Sequence, residues 1–296
     1  MLLAPPAPLV EVTPTREVRT VSPVNEVAVD GGRAATLVGT VQSWEYLLVW
    51  TPRGIVVRAS LACDLQETNV VLAGNRFAHL CYQGGNFVVT GTIRPLRGHI
   101  ALRAGGDTQV ALAGGGSLVA GSAGGTVWRF DLRSKRKLRT YAGPVIVLGV
   151  DGGRVLVDRG PGALDVLSST GAVIGTVTRP HEGGAALRGG RVATIAGRTL
   201  TIGDLRGRTL LTRRLAAGAR LEDFDGRLAV YSVETRLHLL RLDDGRDVRL
   251  GLRGQFGYAH ARLSNGALFY AYDQRTGRLG HAAYLDAPHV RALFRG

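Results

Sequence analysis

The chain has 296 residues, of which 45% are apolar and 20% are charged, and this balance excludes a disordered chain. Its 42 glycines and 11 prolines interrupt the apolar residues, so no run approaches the roughly 18 residues that a membrane helix needs. A single methionine and the high glycine content argue against helical bundles and favour short strands joined by tight turns. The composition therefore predicts an all-β protein without a membrane span.

The formal charge of the chain is +14, and every basic residue except Lys135 and Lys137 is an arginine. Such a charge attracts nucleic acids, acidic polysaccharides and anionic lipid head groups over roughly 8 Å at physiological salt. The arginines are spread along the whole chain, however, whereas a nucleic-acid site concentrates them on one face. We expect dispersed charge that keeps the protein soluble and no nucleic-acid site; binding of an anionic polymer through the overall charge is the alternative.

The first eight residues, Met-Leu-Leu-Ala-Pro-Pro-Ala-Pro, lack the basic leader and the apolar stretch of about 7 to 15 residues found in a signal peptide. They resemble the stub that remains around a cleavage site. This likeness favours export, with an extracellular, periplasmic or cell-envelope location. A cytoplasmic protein with a Pro-rich tail is the alternative.

The two cysteines, Cys63 and Cys81, bear on the same question. In an exported chain an even number of cysteines suggests one disulfide, which would stabilise the fold by about 3 kcal/mol in the chain-entropy model. Two buried thiols are the alternative. Because no Cys-x-x-Cys or second Cys/His pair accompanies them, we do not expect them to bind a metal.

A short pattern occurs seven times along the chain: an apolar strand, a tight turn containing glycine, and a second apolar strand. Glycine and asparagine at such turns supply the positive φ that two-residue hairpins require. The third residues of successive turns are 36 to 43 positions apart, which is the period of a β-propeller blade with four strands. The turns are Gly31-Gly32-Arg33, Gly74-Asn75-Arg76, Gly115-Gly116-Ser117, Gly152-Gly153-Arg154, Gly189-Gly190-Arg191, Asp225-Gly226-Arg227 and Asn265-Gly266-Ala267.

The third repeat shows its four strands most clearly, at residues 110–113, 118–121, 126–130 and 138–141. Its sequence resembles a WD repeat, in which the third strand ends in a Trp-Asp pair. Related pairs stand at the matching places of other repeats: Phe130-Asp131, Gly203-Asp204, Leu242-Asp243, Leu285-Asp286 and Trp50-Thr51. The Gly-His dipeptide of the family is missing, and Gly143-Pro144 stands where it would be expected. The family's internal His-Asp relay is therefore not expected, and apolar packing should hold the blades together.

The resemblance to WD-like and quinoprotein-like propellers implies one seven-bladed β-propeller with four-stranded antiparallel blades. We assign residues 1–10 to a Pro-rich tail and residues 11–296 to the propeller domain. Residues 16–21 (REVRTV) resemble residues 247–250 (DVRL) in the outer strand of the sixth blade. We therefore expect the N-terminal strand to close the last blade, with residues 289–294 (HVRALF) as the competing segment.

In such propellers, two sets of loops gather on one face around the mouth of the central channel. Aromatic residues and arginines on such loops are typical of interaction sites. The predicted partner-binding residues are Trp44, Tyr46, Tyr82, Arg159, His181, Glu182, Glu234, Arg236, Tyr258, Tyr272, Asp273 and Arg275.

Catalytic motifs are absent from the sequence: it has no Gly-x-Ser-x-Gly elbow, no phosphate-binding loop and no His-Glu-x-x-His. The adjacent carboxylates Glu222-Asp223 and Asp243-Asp244 are interpreted as turn residues rather than as an acid/base pair. We expect no catalytic residue, no bound metal and no cofactor.

These observations favour a non-catalytic scaffold that presents the loops of one face to a protein or a surface polymer. A propeller enzyme, such as a lyase or hydrolase acting on a sugar or lactone at the channel mouth, is one alternative. Convergence of His181, Glu182, Glu234, His260 and Asp273 at the mouth would favour the enzyme. A binder of anionic polymers is the other alternative.

Overall fold

A computed structural model describes residues 7–40, 43–60, 70–74, 76–83, 86–92, 100–102, 110–130, 134–160, 162–274 and 279–295. Within these ranges the chain forms short strands and one six-residue helix, so the all-β prediction is confirmed. None of the described residues belongs to a helix long and apolar enough to cross a membrane.

The strands follow the repeats in chain order. The first two are β1 (Leu9–Glu11) and β2 (Arg16–Thr20). Sheet 1 contains β3 (Val24–Asp30), β4 (Arg33–Thr40), β5 (Ser43–Thr51) and β6 (Gly54–Ser60). Sheet 2 contains β7 (Val70–Ala73), β8 (Arg76–Gln83), β9 (Asn86–Thr92) and β10 (Ile100–Leu102). Sheet 3 contains β11 (Val110–Gly115), β12 (Leu118–Ala123), β13 (Thr126–Phe130) and β14 (Lys135–Thr140).

Sheet 4 contains β15 (Ile146–Asp151), β16 (Arg154–Asp158), β17 (Ala163–Leu167) and β18 (Val173–Thr178). Sheet 5 contains β19 (Ala185–Arg188), β20 (Arg191–Ala196), β21 (Thr199–Asp204) and β22 (Thr209–Arg214). Sheet 6 is built on β23 (Ala219–Phe224), β24 (Leu228–Val233), β25 (Arg236–Arg241) and β26 (Asp247–Gly251). Sheet 7 contains β27 (Gln255–Ser264), β28 (Ala267–Gln274) and β29 (Leu279–Leu285), and helix α1 (Ala287–Ala292) follows it.

The first strands of the sheets form a closed ring. Strands β3, β7, β11, β15, β19, β23 and β27 each contact the next, and β27 contacts β3. The remaining strands of each sheet pair outward from this ring in antiparallel order. The described strands thus have the architecture of a β-propeller, as the repeat predicts.

The N-terminal strand closes sheet 7, as predicted. Strand β2 pairs antiparallel with β29, from Arg16 opposite Tyr284 to Thr20 opposite Gly280. The competing segment, residues 289–294, lies in and just after helix α1 instead of forming a strand. The helix begins after Asp286, whose side chain accepts a hydrogen bond from the backbone N–H of His289, as an N-cap residue does.

Sheet 6 differs from the predicted four-stranded antiparallel blade. Six sheets of the described chain have four antiparallel strands, but sheet 6 has a fifth, β1, which pairs in parallel with β26. Leu9 and Val10, which the sequence assigns to the Pro-rich tail, lie in β1. The cause is the exposed edge of β26: the segment leading to β2 satisfies its backbone groups, and Val12 adds a buried side chain there.

The core lies between neighbouring sheets rather than within one of them. Separate apolar clusters fill successive sheet interfaces, and the interface between sheets 7 and 1 buries Trp50 against Phe269, with ring centroids 5.3 Å apart. Close approach also needs small residues: a Cβ at Gly114 would overlap the carbonyl oxygen of Leu72 in the neighbouring sheet. The expected apolar packing between sheets is therefore present.

The predicted disulfide falls outside this description. Cys63 is not among the described residues, and of Cys81 only the backbone position in β8 is described. The Cys63–Cys81 bond stays a prediction.

Candidate functional site

The face with the predicted site carries two sets of loops: those from the second to the third strand of a sheet, and those from its fourth strand to the next sheet. We call it the loop face. The opposite side carries the hairpins between first and second strands, and we call it the turn face. The antiparallel strand order places the two loop sets on one side, as predicted.

Two predicted residues near sheets 4 and 5 are bound within the fold. Arg159 Nη1 lies 3.5 Å from Asp165 Oδ2, which is almost fully buried. Glu182 Oε1 accepts a hydrogen bond of 2.7 Å from the backbone N–H of Gly197 in the next turn. Both side chains therefore fasten loops of this face, and a role in partner binding stays a prediction.

The third predicted residue of this region, His181, forms a relay that the sequence does not predict. His181 is buried, its Nε2 lies 3.1 Å from Asp158 Oδ1, and its Nδ1 lies 3.1 Å from the carbonyl oxygen of Arg179. The expectation that no His-Asp relay forms was therefore wrong. The relay needs a loop histidine near an aspartate at a strand end, and no Gly-His dipeptide is required.

A second histidine–carboxylate group lies inside sheet 6. The Tyr231 hydroxyl donates a hydrogen bond to the Asp247 carboxylate, and His238 Nδ1 lies 3.3 Å from the same hydroxyl. The Tyr231 and His238 rings stack with centroids 4.9 Å apart. Burial and the negative charge of Asp247 raise the pKa of Tyr231 far above its usual value, so the hydroxyl stays a donor.

Tyr272 and Asp273, two further predicted residues, lie in strand β28 rather than in a loop. Tyr272 is buried, and its ring stacks on that of His281 with centroids 5.2 Å apart. Asp273 Oδ1 accepts a hydrogen bond of 2.8 Å from the backbone N–H of Val24, which joins sheet 7 to sheet 1. Burial raises the pKa of Asp273, and this hydrogen bond opposes the shift. Both residues therefore stabilise the ring.

The remaining predicted residues of the first two sheets are only partly described. Tyr46 lies in β5, not in a loop, and is buried, with the Arg58 guanidinium 3.9 Å from its ring centroid. Trp44 and Tyr82 have backbone positions in β5 and β8, but their side chains lie outside the described residues, as does the whole of Arg275. Their roles stay predictions.

Glu234 and Arg236 lie beside the entrance to sheet 7. Glu234 occupies the turn between β24 and β25 with a φ of 54°, and Arg236 Nη1 donates a hydrogen bond of 3.1 Å to Gln255 Oε1. Gln255 Nε2 in turn donates to the carbonyl oxygens of Thr235, at 2.5 Å, and Gly257, at 2.9 Å. The side-chain amide of Gln255 therefore fixes the start of β27 against the turn between β24 and β25.

An apolar patch follows directly on this anchor. The side chains of Phe256 and Tyr258 are 52% and 70% exposed, and those of Val21 and Leu279 are 78% and 37% exposed. We call these four residues the rim patch. The two aromatic residues flank Gly257 near the start of the inner strand β27.

The strand register places these residues along one end of sheet 7. Phe256 lies opposite Asp273, Asp273 opposite Gly280, and Gly280 opposite Thr20. Leu279 and Val21 are the chain neighbours of the last two residues, so they lie at the same end of the sheet, with their side chains on the face opposite to that of Phe256. A bulge between Phe256 and Ala259 adds Gly257 and Tyr258 to β27 at the same end.

Two carboxylates that the sequence places in a turn line the central channel instead. Glu222 and Asp223 were predicted as turn residues, but both lie in the inner strand β23, where a bulge interrupts the register between Leu221 and Asp223. They line a cavity of about 330 Å³ together with Arg188 and Arg262. The bulge explains the error, because the alternation of faces along a regular strand does not hold across it. Asp243-Asp244, by contrast, does lie in a turn.

Contacts within the protein hold both channel carboxylates. Asp223 accepts backbone hydrogen bonds of 2.9 Å from Leu263 and 2.8 Å from Phe224, and its Oδ2 lies 3.5 Å from Arg188 Nη2. Burial raises the pKa of Asp223 against the charge of Arg188. Burial also acts on Glu222, but hydrogen bonding from His260 and nearby positive charge outweigh it, so the pKa of Glu222 lies below its usual value.

The described residues show whether a metal ion could be held at the channel mouth. No three His, Cys, Asp or Glu side chains among them are grouped so that they could hold a metal ion. His181, Glu182, Glu234, His260 and Asp273 therefore do not converge into such a site. The side chains of His181, Glu182, His260 and Asp273 contact neighbouring parts of the fold instead.

The fold of this chain is similar to that of several solved structures. No protein-family model matches the chain, and no curated protein matches it. Kluyveromyces lactis Hsv2 with its loop 6CD replaced by a Gly-Ser linker superposes with a TM-score of 0.62 at 12% identity, over 85% of this chain and 89% of that chain.

Two further structures superpose over most of their length. The Cps50 (Swd1) β-propeller domain of Myceliophteria thermophila has a TM-score of 0.61 at 12% identity, over 92% of this chain and 99% of that chain. Apo AztD from Citrobacter koseri has a TM-score of 0.52 at 10% identity, over 79% and 74%. At such identities the likeness concerns the fold alone. The chain therefore has the fold of a WD-repeat-like β-propeller.

Proposed function

We propose that this protein is a non-catalytic scaffold that binds a partner protein through the rim patch on the loop face of sheet 7. The propeller fold and its likeness to WD-type structures support a binding role. The observation that carries the proposal is the exposure of two aromatic side chains, Phe256 and Tyr258, two positions apart on a fixed strand end.

The patch has the properties of an interaction site. Aromatic residues dominate binding energy at protein interfaces because they bury a large area at a low entropic cost. Gln255 fixes the strand that carries both rings, so little freedom is lost when a partner binds. The charged side chains of Glu234 and Arg236 lie next to the patch and would form the polar rim of the interface.

The test compares proteins captured from an extract of the native host at 200 mM NaCl. We expect the double variant Phe256→Ser/Tyr258→Ser to lose at least tenfold of a specific partner that the unchanged protein retains. The control variant Ile174→Ser/Leu210→Ser removes two exposed apolar residues from the outer strands of sheets 4 and 5 and should retain the partner. Equal capture by the unchanged protein and the Phe256/Tyr258 variant would contradict the proposal.

We further propose that the scaffold acts outside the cytoplasm, at the cell envelope or beyond it. The support is the pair of cysteines, which would form a disulfide in an oxidising compartment. Protein isolated from its host under alkylating conditions should carry unmodified Cys63 and Cys81 until it is reduced. Full alkylation before reduction would count against export.

A further inference from the structure

A groove on the turn face lies far from the rim patch, where helix α1 crosses the hairpins of sheets 6 and 7. It has a volume of about 630 Å³, within the range of pockets that hold small ligands. Four arginines line it: Arg227, Arg241, Arg291 and Arg295. Two acidic residues, Asp225 and Asp243, also line it.

Helix α1 holds two of these arginines in place. Val290 and Phe294 are buried in the core of sheets 6 and 7, and Arg246 Nη1 donates a hydrogen bond of 2.6 Å to the carbonyl oxygen of Phe294. Arg291 lies in α1 and Arg295 lies three residues after its end; both are exposed on a segment that is fixed to the propeller. Because the backbone of this segment is already held in place, only the arginine side chains need to be ordered when an anion binds.

The acidic residues of the groove are already engaged. Asp225 Oδ1 accepts the backbone N–H groups of Arg227 at 3.0 Å and Leu228 at 2.9 Å, and its Oδ2 accepts that of Gly266 at 2.9 Å. Asp243 lies 3.5 Å from Arg241, whose guanidinium also contacts the Asp244 carboxylate. The Asp225 carboxylate thus accepts hydrogen bonds from two turns, and the carboxylates of Asp243 and Asp244 balance the charge of Arg241.

The other arginines keep their charge available. Among the described residues, neither Arg227 nor Arg295 has a carboxylate within ion-pair distance, and Arg291 has only a longer-range interaction with Asp286. Guanidinium groups bind carboxylates through two parallel hydrogen bonds, so three of them around one groove favour an anionic ligand.

We propose that this groove binds a short acidic segment of a partner protein, with two or more carboxylates spaced along it. Four arginines and two aspartates give the walls a net charge of only +2. A charge of this size suits a few separated carboxylates better than the dense phosphates of a nucleic acid. The proposal is independent of the rim patch, which lies on the opposite face.

The test is fluorescence anisotropy with fluorescein-labelled hexaglutamate at 100 mM NaCl, with labelled hexaglutamine as the uncharged probe. We expect hexaglutamate to bind and hexaglutamine not to bind. The variant Arg227→Gln/Arg295→Gln should weaken hexaglutamate binding at least tenfold. The control variant Arg206→Gln/Arg214→Gln removes the same charge from exposed positions of sheet 5 and should change binding less than twofold.

Three outcomes would overturn the proposal. Equal weakening by both variants would show attraction to the overall charge only. Displacement of hexaglutamate by inorganic phosphate or a 12-nucleotide single strand at lower concentrations than by unlabelled hexaglutamate would assign the groove to phosphate or nucleic acid. Absence of hexaglutamate binding to the unchanged protein would remove the site. Thermal unfolding of each variant checks that the substitutions leave the fold intact.

Discussion

At the scale of single residues, aspartates at the ends of inner strands connect neighbouring sheets. Asp151 Oδ2 accepts the backbone N–H of Gly189 at 2.7 Å, and Asp225 does the same for Gly266 at 2.9 Å. Hydrogen bonds to a charged acceptor are worth about 1.5–3 kcal/mol. The sequence predicts the turns that follow these aspartates, but the acceptor role depends on ring closure, which brings the next turn within reach.

A buried histidine in sheet 7 makes stability depend on pH. Burial lowers the pKa of His281 below its usual value, although Glu17 Oε2, 3.3 Å from Nδ1, opposes the shift. As the pH falls, the unfolded chain therefore binds this proton first, near pH 6.5. The contribution of neutral His281 is complete above about pH 6.5 and is lost as the pH falls through the lower pKa of the folded protein.

We therefore expect the unfolding free energy of the unchanged protein to fall more steeply between pH 7.5 and 5 than that of His281→Gln. Urea unfolding at several pH values measures both slopes. Parallel curves for the two proteins would refute this explanation.

At the scale of elements, β1 is the addition that the repeat does not predict. The period of the repeat accounts for antiparallel strands that follow one another in the chain, whereas β1 pairs in parallel with β26 from the other end of the sequence. Its apolar residues, Leu9, Val10 and Val12, carry too short a pattern to identify a partner strand.

The extension should stabilise the propeller through Val12, whose side chain is buried and whose N–H donates to the carbonyl oxygen of Gly251 at 3.0 Å. We expect Val12→Ala to lower the unfolding free energy by about 1–2 kcal/mol, at roughly 0.8 kcal/mol for each buried methyl or methylene lost. Leu9→Ala, at a residue 53% exposed, should change it by less than about 0.5 kcal/mol. Chemical denaturation distinguishes the two, and equal losses would mean that β1 does not pack as described.

Some features of the strands and of the helix are predicted by the sequence, and others are not. Turn chemistry predicts the hairpins, and the likeness of residues 16–21 to residues 247–250 predicts the strand that closes sheet 7. They do not predict the bulge at Glu222, because a bulge is decided by packing in the channel. They also leave residues 289–294 ambiguous, since a short apolar run fits a strand or a helix; the N-cap at Asp286 is the local signal for the helix.

At the scale of the whole molecule, closure of the ring brings residues from distant parts of the sequence together in two separate surfaces. The rim patch combines residues from both chain ends, Val21 and Leu279 among them, on the loop face. The groove combines hairpins of two sheets with the C-terminal helix on the turn face. Neither surface is visible in a linear motif, because closure of the ring is what brings the segments together.

Closure of sheet 7 by β2 is therefore the central claim, and a pair of cysteines tests it most directly. In a Cys63→Ser/Cys81→Ser background, Val18→Cys/Ala282→Cys places thiols on directly paired residues of β2 and β29, within disulfide distance. Val18→Cys/Ala271→Cys places them two strands apart, roughly 9.6 Å, beyond that distance. Under mild oxidation of the folded protein, mass spectrometry should find an intramolecular disulfide in the first variant and none in the second; free thiols in the first, or equal bridging in both, would contradict the closed ring.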